Sequence, residues 1–212
     1  MIGMKLVVFG ASGATGKQLV AQGLARGHHV TAFVRTPSKL MVKHGELRVV
    51  QGDVAESTSV AHAIAGNDAV VIALGVGKPL RHDPAVIEGV RNIVRAMDGK
   101  QSRLIYLSFL GVHEGRAQLG FILGRIMANI VLRNEVVDHE VKEDIVRRSN
   151  LEWTIVRPVG LTNGPRTGAY RHGLDVRAKS LVPTISRADV ADFMLGELVD
   201  GSYVRKAVAV MH

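Results

Sequence analysis

Short apolar runs alternate with helix-length segments along almost the whole of this chain, and that rhythm limits what it can fold into. Lys5 to Phe9, His29 to Val34, Leu47 to Gln51, Ala69 to Leu74, Arg103 to Ser108 and Glu152 to Arg157 read as strands, most of them rich in Val and Ile. Near-continuous apolar runs of this kind suit strands buried on both faces. Gly16 to Arg26, Ser57 to Ala65, Pro84 to Met97 and Glu135 to Ser149 read as the intervening helices, and Arg187 to Val199 with Ala207 to Val210 adds a last helix and strand. Gly27 follows the first helix where a left-handed cap belongs. Strand and helix in strict alternation predict an α/β fold: a doubly wound parallel sheet with helices on both faces. No linker, repeat or low-complexity tract interrupts the pattern, so residues 1–212 read as a single domain, 47% hydrophobic and 22% charged.

The stretch "VVFGASGATGKQLV" puts Gly10, Gly13 and Gly16 between the first strand and the first helix. Gly10 permits a tight turn, Gly13 lets a phosphate approach the backbone, and Gly16 lets the helix pack closely on the strand. The helix N-terminus offers free N–H groups and a partial positive charge to a pyrophosphate. Ser12 and Thr15 add hydroxyl donors, and Ala14 lies between them. A Rossmann-type dinucleotide site is the reading. The nucleotide-triphosphate alternative fails, because Lys17 is followed by Gln18 rather than Ser or Thr.

The end of the second strand chooses between cofactors. An acidic residue there would bind a ribose 2′-hydroxyl, but the chain reads "FVRTPSKL" with Arg35 at that point. A guanidinium pairs with a 2′-phosphate that a carboxylate would repel. Ser38 and Lys39 stand close by, so NADP is expected as the cofactor, in the form of NADPH. In "QGDV", Asp53 is placed to accept from the adenine amino group, or to cap the next helix, with Val54 against the ring. Leu74 and Gly75, after the fourth strand, are expected to line the ribose.

Two segments break the rhythm and are expected to build the acceptor site, at about 109–133 and 158–183. In "LGFILGRIMANIVL", Leu119, Ile122, Leu123, Ile126 and Ile130 share one helical face, with Arg125 and Asn129 on another. A core or pocket-covering helix is expected there, with a dimer face or membrane-surface contact as the alternatives. The run is too short and polar to span a membrane. The net charge of +8 raises nucleic acid as a partner, but the basic residues are scattered and aromatics make up 4%. No nucleic acid and no membrane partner is expected, and the chain is read as a monomer or weak homodimer. There are no cysteines, and the first apolar run is too short for a signal peptide, so a cytoplasmic protein is expected.

"FGASGATG", "VTAFVRTPSKL", "VVQGDV", "AGNDAVVIALG", "EGVRNIVRAM", "DHEVKEDIVRRSNLEWTIVRP" and "GPRTGAY" together resemble the atypical short-chain dehydrogenase/reductases. Within that group the similarity is to the biliverdin-IXβ reductase/flavin reductase branch, which overlaps the NmrA-like proteins. The resemblance spans nearly the whole chain. It implies NADPH as hydride donor and a flavin (FMN included), biliverdin or quinone-like acceptor stacked on the nicotinamide. By position, Ser108 matches the family's serine beside the nicotinamide, and His139 a histidine on the following helix. Pro158 and Val159 are expected among the cofactor-binding residues. The family's second active-site histidine follows the proline after the sixth strand; here Val159 stands there. The segment between Ser108 and Asp138 is also longer than in the mammalian reductase.

The Tyr-x-x-x-Lys proton donor of the wider superfamily is absent: Tyr106, Tyr170 and Tyr203 are followed four residues on by Leu110, Leu174 and Ala207. Ketone chemistry needs a positioned acid, whereas reduction of an electron-poor ring takes its proton from water. His113, His139 and His172 are expected near the pocket; no H-x-x-x-H pair with a supporting carboxylate suggests a metal. An NADPH-dependent reductase of a flat conjugated ring is the expectation. The alternative is a non-catalytic NmrA-like sensor of NADP(H). Nucleotide-sugar epimerase or lyase chemistry fits the short C-terminal part less well.

Overall fold

The computed structural model describes residues 3–75, 82–99, 103–119 and 133–212. The elements run β1 (Lys5–Phe9), α1 (Ala14–Ala25), β2 (His29–Val34), β3 (Leu47–Gln51), α2 (Ser57–Ile64), β4 (Ala69–Ile72), α3 (Pro84–Met97), β5 (Arg103–Leu107), α4 (Arg133–Arg147), β6 (Glu152–Pro158), β7 (Gly160–Thr162), β8 (Arg171–Gly173), β9 (Thr184–Ser186), α5 (Arg187–Asp200) and β10 (Lys206–Met211). Eight strands form one sheet in the order β3-β2-β1-β4-β5-β6-β10-β8. All neighbours are parallel except β8, which pairs antiparallel with β10. Chain order reverses between β1 and β4, and the carboxyl ends of the strands on either side of that point frame a crevice.

The two faces of the sheet divide the core by the period of two that a strand imposes. Leu6 and Val8 of β1 point into the layer that holds Leu19, Val20 and Val190, whereas Val7 and Phe9 point into the one that holds Val60, Val90 and Ile93. Helices α1 and α5 pack together on the first face; α2, α3 and α4 cover the second. The expected doubly wound α/β architecture is the one observed. Strand β3 departs from the expected burial: it lies at the edge, and Val49 is 43% exposed.

The span 158–183 is more regular than a loop. Strands β7 and β9 form a small parallel pair through Leu161 and Ile185, and β8 joins the main sheet. Two carboxylates on α5 fasten the connecting chain. Asp189 accepts from the N–H groups of Thr167 (2.7 Å) and Gly168 (2.9 Å), from Ser186 Oγ (2.8 Å), and meets His212 Nε2 at 2.9 Å. Asp192 takes the Tyr170 hydroxyl at 2.7 Å and Arg26 at 2.6 Å. Hydrogen bonds from Gly168, Ser186, Thr167 and His212 lower the pKa of the buried Asp189 carboxylate below the usual range, despite the desolvation that pushes it up. The apolar face drawn through Ile122, Leu123, Ile126 and Ile130 lies outside the described residues.

Candidate functional site

A cleft of about 900 Å³ runs along the carboxyl ends of the strands, from Arg35 and Lys39 across the glycine turn to Ser108, His139 and Arg187. Its floor is set by backbone packing. Gly10 turns with φ +84°, and a Cβ there would lie 2.4 Å from the Ala73 carbonyl oxygen. A Cβ on Gly16 would lie 2.0 Å from the Gly10 oxygen, so α1 rests directly on the turn. Gly16 accordingly sits beneath the turn and does not line the cleft. Gly13, at the N-cap of α1, has an ordinary φ of −71° and faces the cleft with Ser12, Ala14 and Thr15. No side chain caps α1 and its first turn has no acidic residue, so free N–H groups open into the cleft. Space for an anion, with donors already aimed at it, fits a dinucleotide pyrophosphate.

At one end, Arg35 and Lys39 are exposed and line the cleft. Neither makes an ion pair within 4 Å among the described residues. Ser38, expected alongside them, does not reach the cleft. Pro37–Lys39 form a single turn of 3₁₀ helix, and its threefold geometry turns successive side chains to different sides. Asp53 lines the cleft, but the capping role does not hold: Glu56 is the N-cap residue of α2. Instead Asp53 Oδ1 accepts from the Ala55 N–H at 2.9 Å and closes a turn. Two residues that the sequence reading missed support this turn. Asn92 donates to the carbonyls of Val54 and Ala55 at 3.1 Å each, and Gly89 leaves room for Val54, whose Cγ2 would lie 2.5 Å from a Cβ there. Leu74 and Gly75 line the cleft beyond it.

The other end gathers Ser108, Phe109, Leu110, His139, Pro158 and Val159, with Leu161, Val182, Pro183 and Arg187 closing the side. The Ser108 N–H joins Val156 at 2.8 Å, which extends the β5–β6 ladder and fixes the residue, yet its buried Oγ has no hydrogen-bond partner among the described residues. His139 Nδ1 is likewise buried without one. Buried polar atoms of native proteins are normally paired. Of the buried side chains with an unpaired polar atom, Ser108 and His139 are the ones among the described residues that line the cleft, where a ligand has access to them. Burial, and then the nearby charge of Lys142, depress the His139 pKa to about 3, so the ring is neutral at physiological pH. No tyrosine lines the cleft: Tyr106 is buried in the core, Tyr170 binds Asp192, and Tyr203 meets His172 Nδ1 at 2.9 Å. Of the three histidines expected here only His139 arrives. His113 faces Asp144 at 3.5 Å, and His172 packs on Phe193 and Tyr203 beside β10.

The wall behind His139 is built from charges. Asp138, Lys142 and Glu143 of α4 are all buried. Glu143 takes Arg157 of β6 in a two-pronged pair at 3.0 and 2.6 Å, and Arg157 also reaches Glu114 at 3.0 Å. Burial alone would raise the Glu114 pKa, but hydrogen bonds from Arg147 and Arg157 hold it at about 2. Asp138 binds the His82 ring and accepts from the Asp83 N–H at 2.8 Å, tying the entry of α3 to the same wall.

Residues 10–200 match the NAD(P)H-binding family. The chain belongs to that family. It is an NAD(P)H-dependent oxidoreductase of the atypical short-chain dehydrogenase/reductase group. An uncharacterized protein of Bacillus subtilis is 32% identical over 209 residues, covering 92% of each chain. The (4-alkanoyl-5-oxo-2,5-dihydrofuran-3-yl)methyl phosphate reductase of Streptomyces griseus is 31% identical over 153 residues, which is 72% of this chain and 46% of that one. Among solved structures, a Streptococcus pneumoniae protein provisionally assigned as an NADH-flavin reductase superposes with a TM-score of 0.82 at 25% identity, covering 99% of this chain and 100% of the other.

Proposed function

We propose that the protein uses NADPH to reduce a flat, conjugated acceptor of the flavin, quinone or biliverdin type in the cytoplasm. One observation carries the reading: a single cleft joins a glycine turn and two unpaired cations to an apolar acceptor end in which the described residues provide no proton donor poised near neutrality. The glycine turn and the free N–H groups of α1 would hold the pyrophosphate, and Arg35 with Lys39 the 2′-phosphate. The bound cofactor supplies the hydride. Ser108 Oγ is available to the nicotinamide amide or the acceptor carbonyl, and Phe109, Leu110 and Val159 offer apolar walls to a ring. The neutral His139 does not protonate the product at pH 7, so water does. Such a site positions two rings and excludes competing chemistry rather than acting as acid or base.

The relatives support a reductase and divide on detail. The Streptomyces enzyme's name describes an oxo-dihydrofuran acceptor, and the name given to the Streptococcus protein specifies NADH and flavin. The NADPH preference therefore rests on Arg35 and Lys39. Titration should show NADPH binding at least ~tenfold tighter than NADH, the ratio that an ion pair of ~1.4 kcal/mol gives. Arg35→Asp should erase it. Equal affinities in the unaltered protein sink that assignment. Steady NADPH oxidation with FMN or a quinone is the expected activity; NADPH binding without turnover across such a panel would point instead to a sensor.

A further inference from the structure

The charged groups at the acceptor end are unevenly distributed. Among the described residues that line the cleft from Leu107 onward there is no Asp or Glu, and His139 is neutral. Arg187 is the one formal charge among those residues; Asp83, whose N–H binds Asp138 next to His139, also lines the cleft. Arg187 is the first residue of α5, half-buried, and its Nη1 donates to Asn163 Oδ1 at 2.7 Å.

Most arginines with partners in this chain meet carboxylates. Arg26 pairs with Asp192, Arg103 with Glu197, Arg116 with Glu140, Arg147 with Glu114 and Arg157 with Glu143. Arg187 has no ion pair within 4 Å among the described residues. A neutral amide steadies one edge of its guanidinium without consuming the charge. The apolar residues Leu161, Val182 and Pro183 line the same cleft as Arg187. A guanidinium on a mostly apolar wall recognises a phosphate or carboxylate more strongly than one in bulk water would.

We propose that Arg187, steadied by Asn163, is a specificity-determining anchor for an anionic group on the acceptor. The substrate class is then a flat ring that carries a phosphate or carboxylate tail, rather than a neutral quinone. This rests on the reductase reading of the cleft. The pyrophosphate of the cofactor is the other source of the same chemistry, but the glycine turn and the open N-terminus of α1 already supply donors for it.

FMN and riboflavin differ by one phosphate and separate the possibilities. Their binding is measured by fluorescence titration of the NADP⁺-saturated protein, so that the result does not depend on turnover. FMN should bind at least ~tenfold tighter than riboflavin. Arg187→Ala should bring the two to equal affinity with riboflavin binding unchanged, and Arg187→Lys should keep part of the difference. No preference for FMN, or a preference that survives Arg187→Ala, overturns the proposal. Weaker NADP⁺ binding in Arg187→Ala with the FMN preference intact also overturns it, and assigns Arg187 to the cofactor. An Arg187-dependent FMN preference without NADPH oxidation leaves the anchor standing and removes the reductase reading.

Discussion

The two ends of the cleft are held in shape by different physics. At the cofactor end, backbone packs on backbone: Gly16 against the Gly10 carbonyl, and Gly10 against Ala73. No side-chain charge is needed, and the geometry follows from residues within one short stretch. At the acceptor end, side chains from different elements are drawn together by buried charge, as in Arg157 of β6 with Glu143 of α4. The first arrangement is rigid and insensitive to pH. The second depends on each charge keeping its partner.

The comparison breaks hardest where one of those partners is removed. Glu143→Leu leaves Arg157, 1% exposed, with only the more exposed Glu114, and should cost about 3–5 kcal/mol in urea unfolding. The double variant Glu143→Leu, Arg157→Met should recover most of the loss. If the single change is neutral, the acceptor end is not charge-built. Next comes a test of the backbone-built end. In an open helix Gly→Ala stabilises by about 1 kcal/mol, but at Gly16 the added methyl meets the Gly10 oxygen at 2.0 Å. Gly16→Ala should therefore lose ~3 kcal/mol, as overpacking does, whereas Gly13→Ala, whose Cβ would lie 3.2 Å from that oxygen, should fold with little loss. A Tm raised by Gly16→Ala would refute the close packing.

The smallest effect concerns pH. His139 titrates near 3 when folded and near its ordinary 6.5 when unfolded. Below 6.5 the unfolded chain takes up a proton that the folded one does not, so stability falls as pH drops towards 3 and is flat above about 7. Between pH 7 and 5 this amounts to about 2 kcal/mol. His28 is shifted in the same direction by burial, while Glu114 acts only at lower pH. His139→Gln should flatten most of that slope; an unchanged slope would mean that the ring is not held neutral.

Legibility in the sequence follows the same divide. The strand frame and the glycine turn depend on local pattern and period, and the expected elements match those observed to within a few residues at their ends. The acceptor end obeys no local rule. In "VVDHEVKED" an apolar stripe would bury Val137 and Val141, yet both are exposed while Asp138, Lys142 and Glu143 are buried. Arg157, which makes this possible, lies on another element and looks in sequence like one more basic residue. Strands β7, β8 and β9 are three residues each, too short for a period to show. Ser38, His113 and His172 do not line the cleft for a related reason: nearness in sequence says nothing about which way a short turn or an edge strand faces.

Strand β8 bears on how the protein behaves at high concentration. Without it, β10 would present an unpaired ladder along six residues, Lys206–Met211, apolar in most positions. With it, Ala209–Met211 are paired, and the strand open to a neighbouring chain along that stretch is Arg171–Gly173, three residues long and led by an arginine. At the opposite edge, Arg48 and Gln51 stand exposed on β3. Short and polar margins of this kind are how natural sheets resist end-on growth into fibrils and sheet-sharing aggregates. Deleting β8 should therefore compromise solubility before it compromises the cofactor turn, which lies on the other side of the sheet's centre.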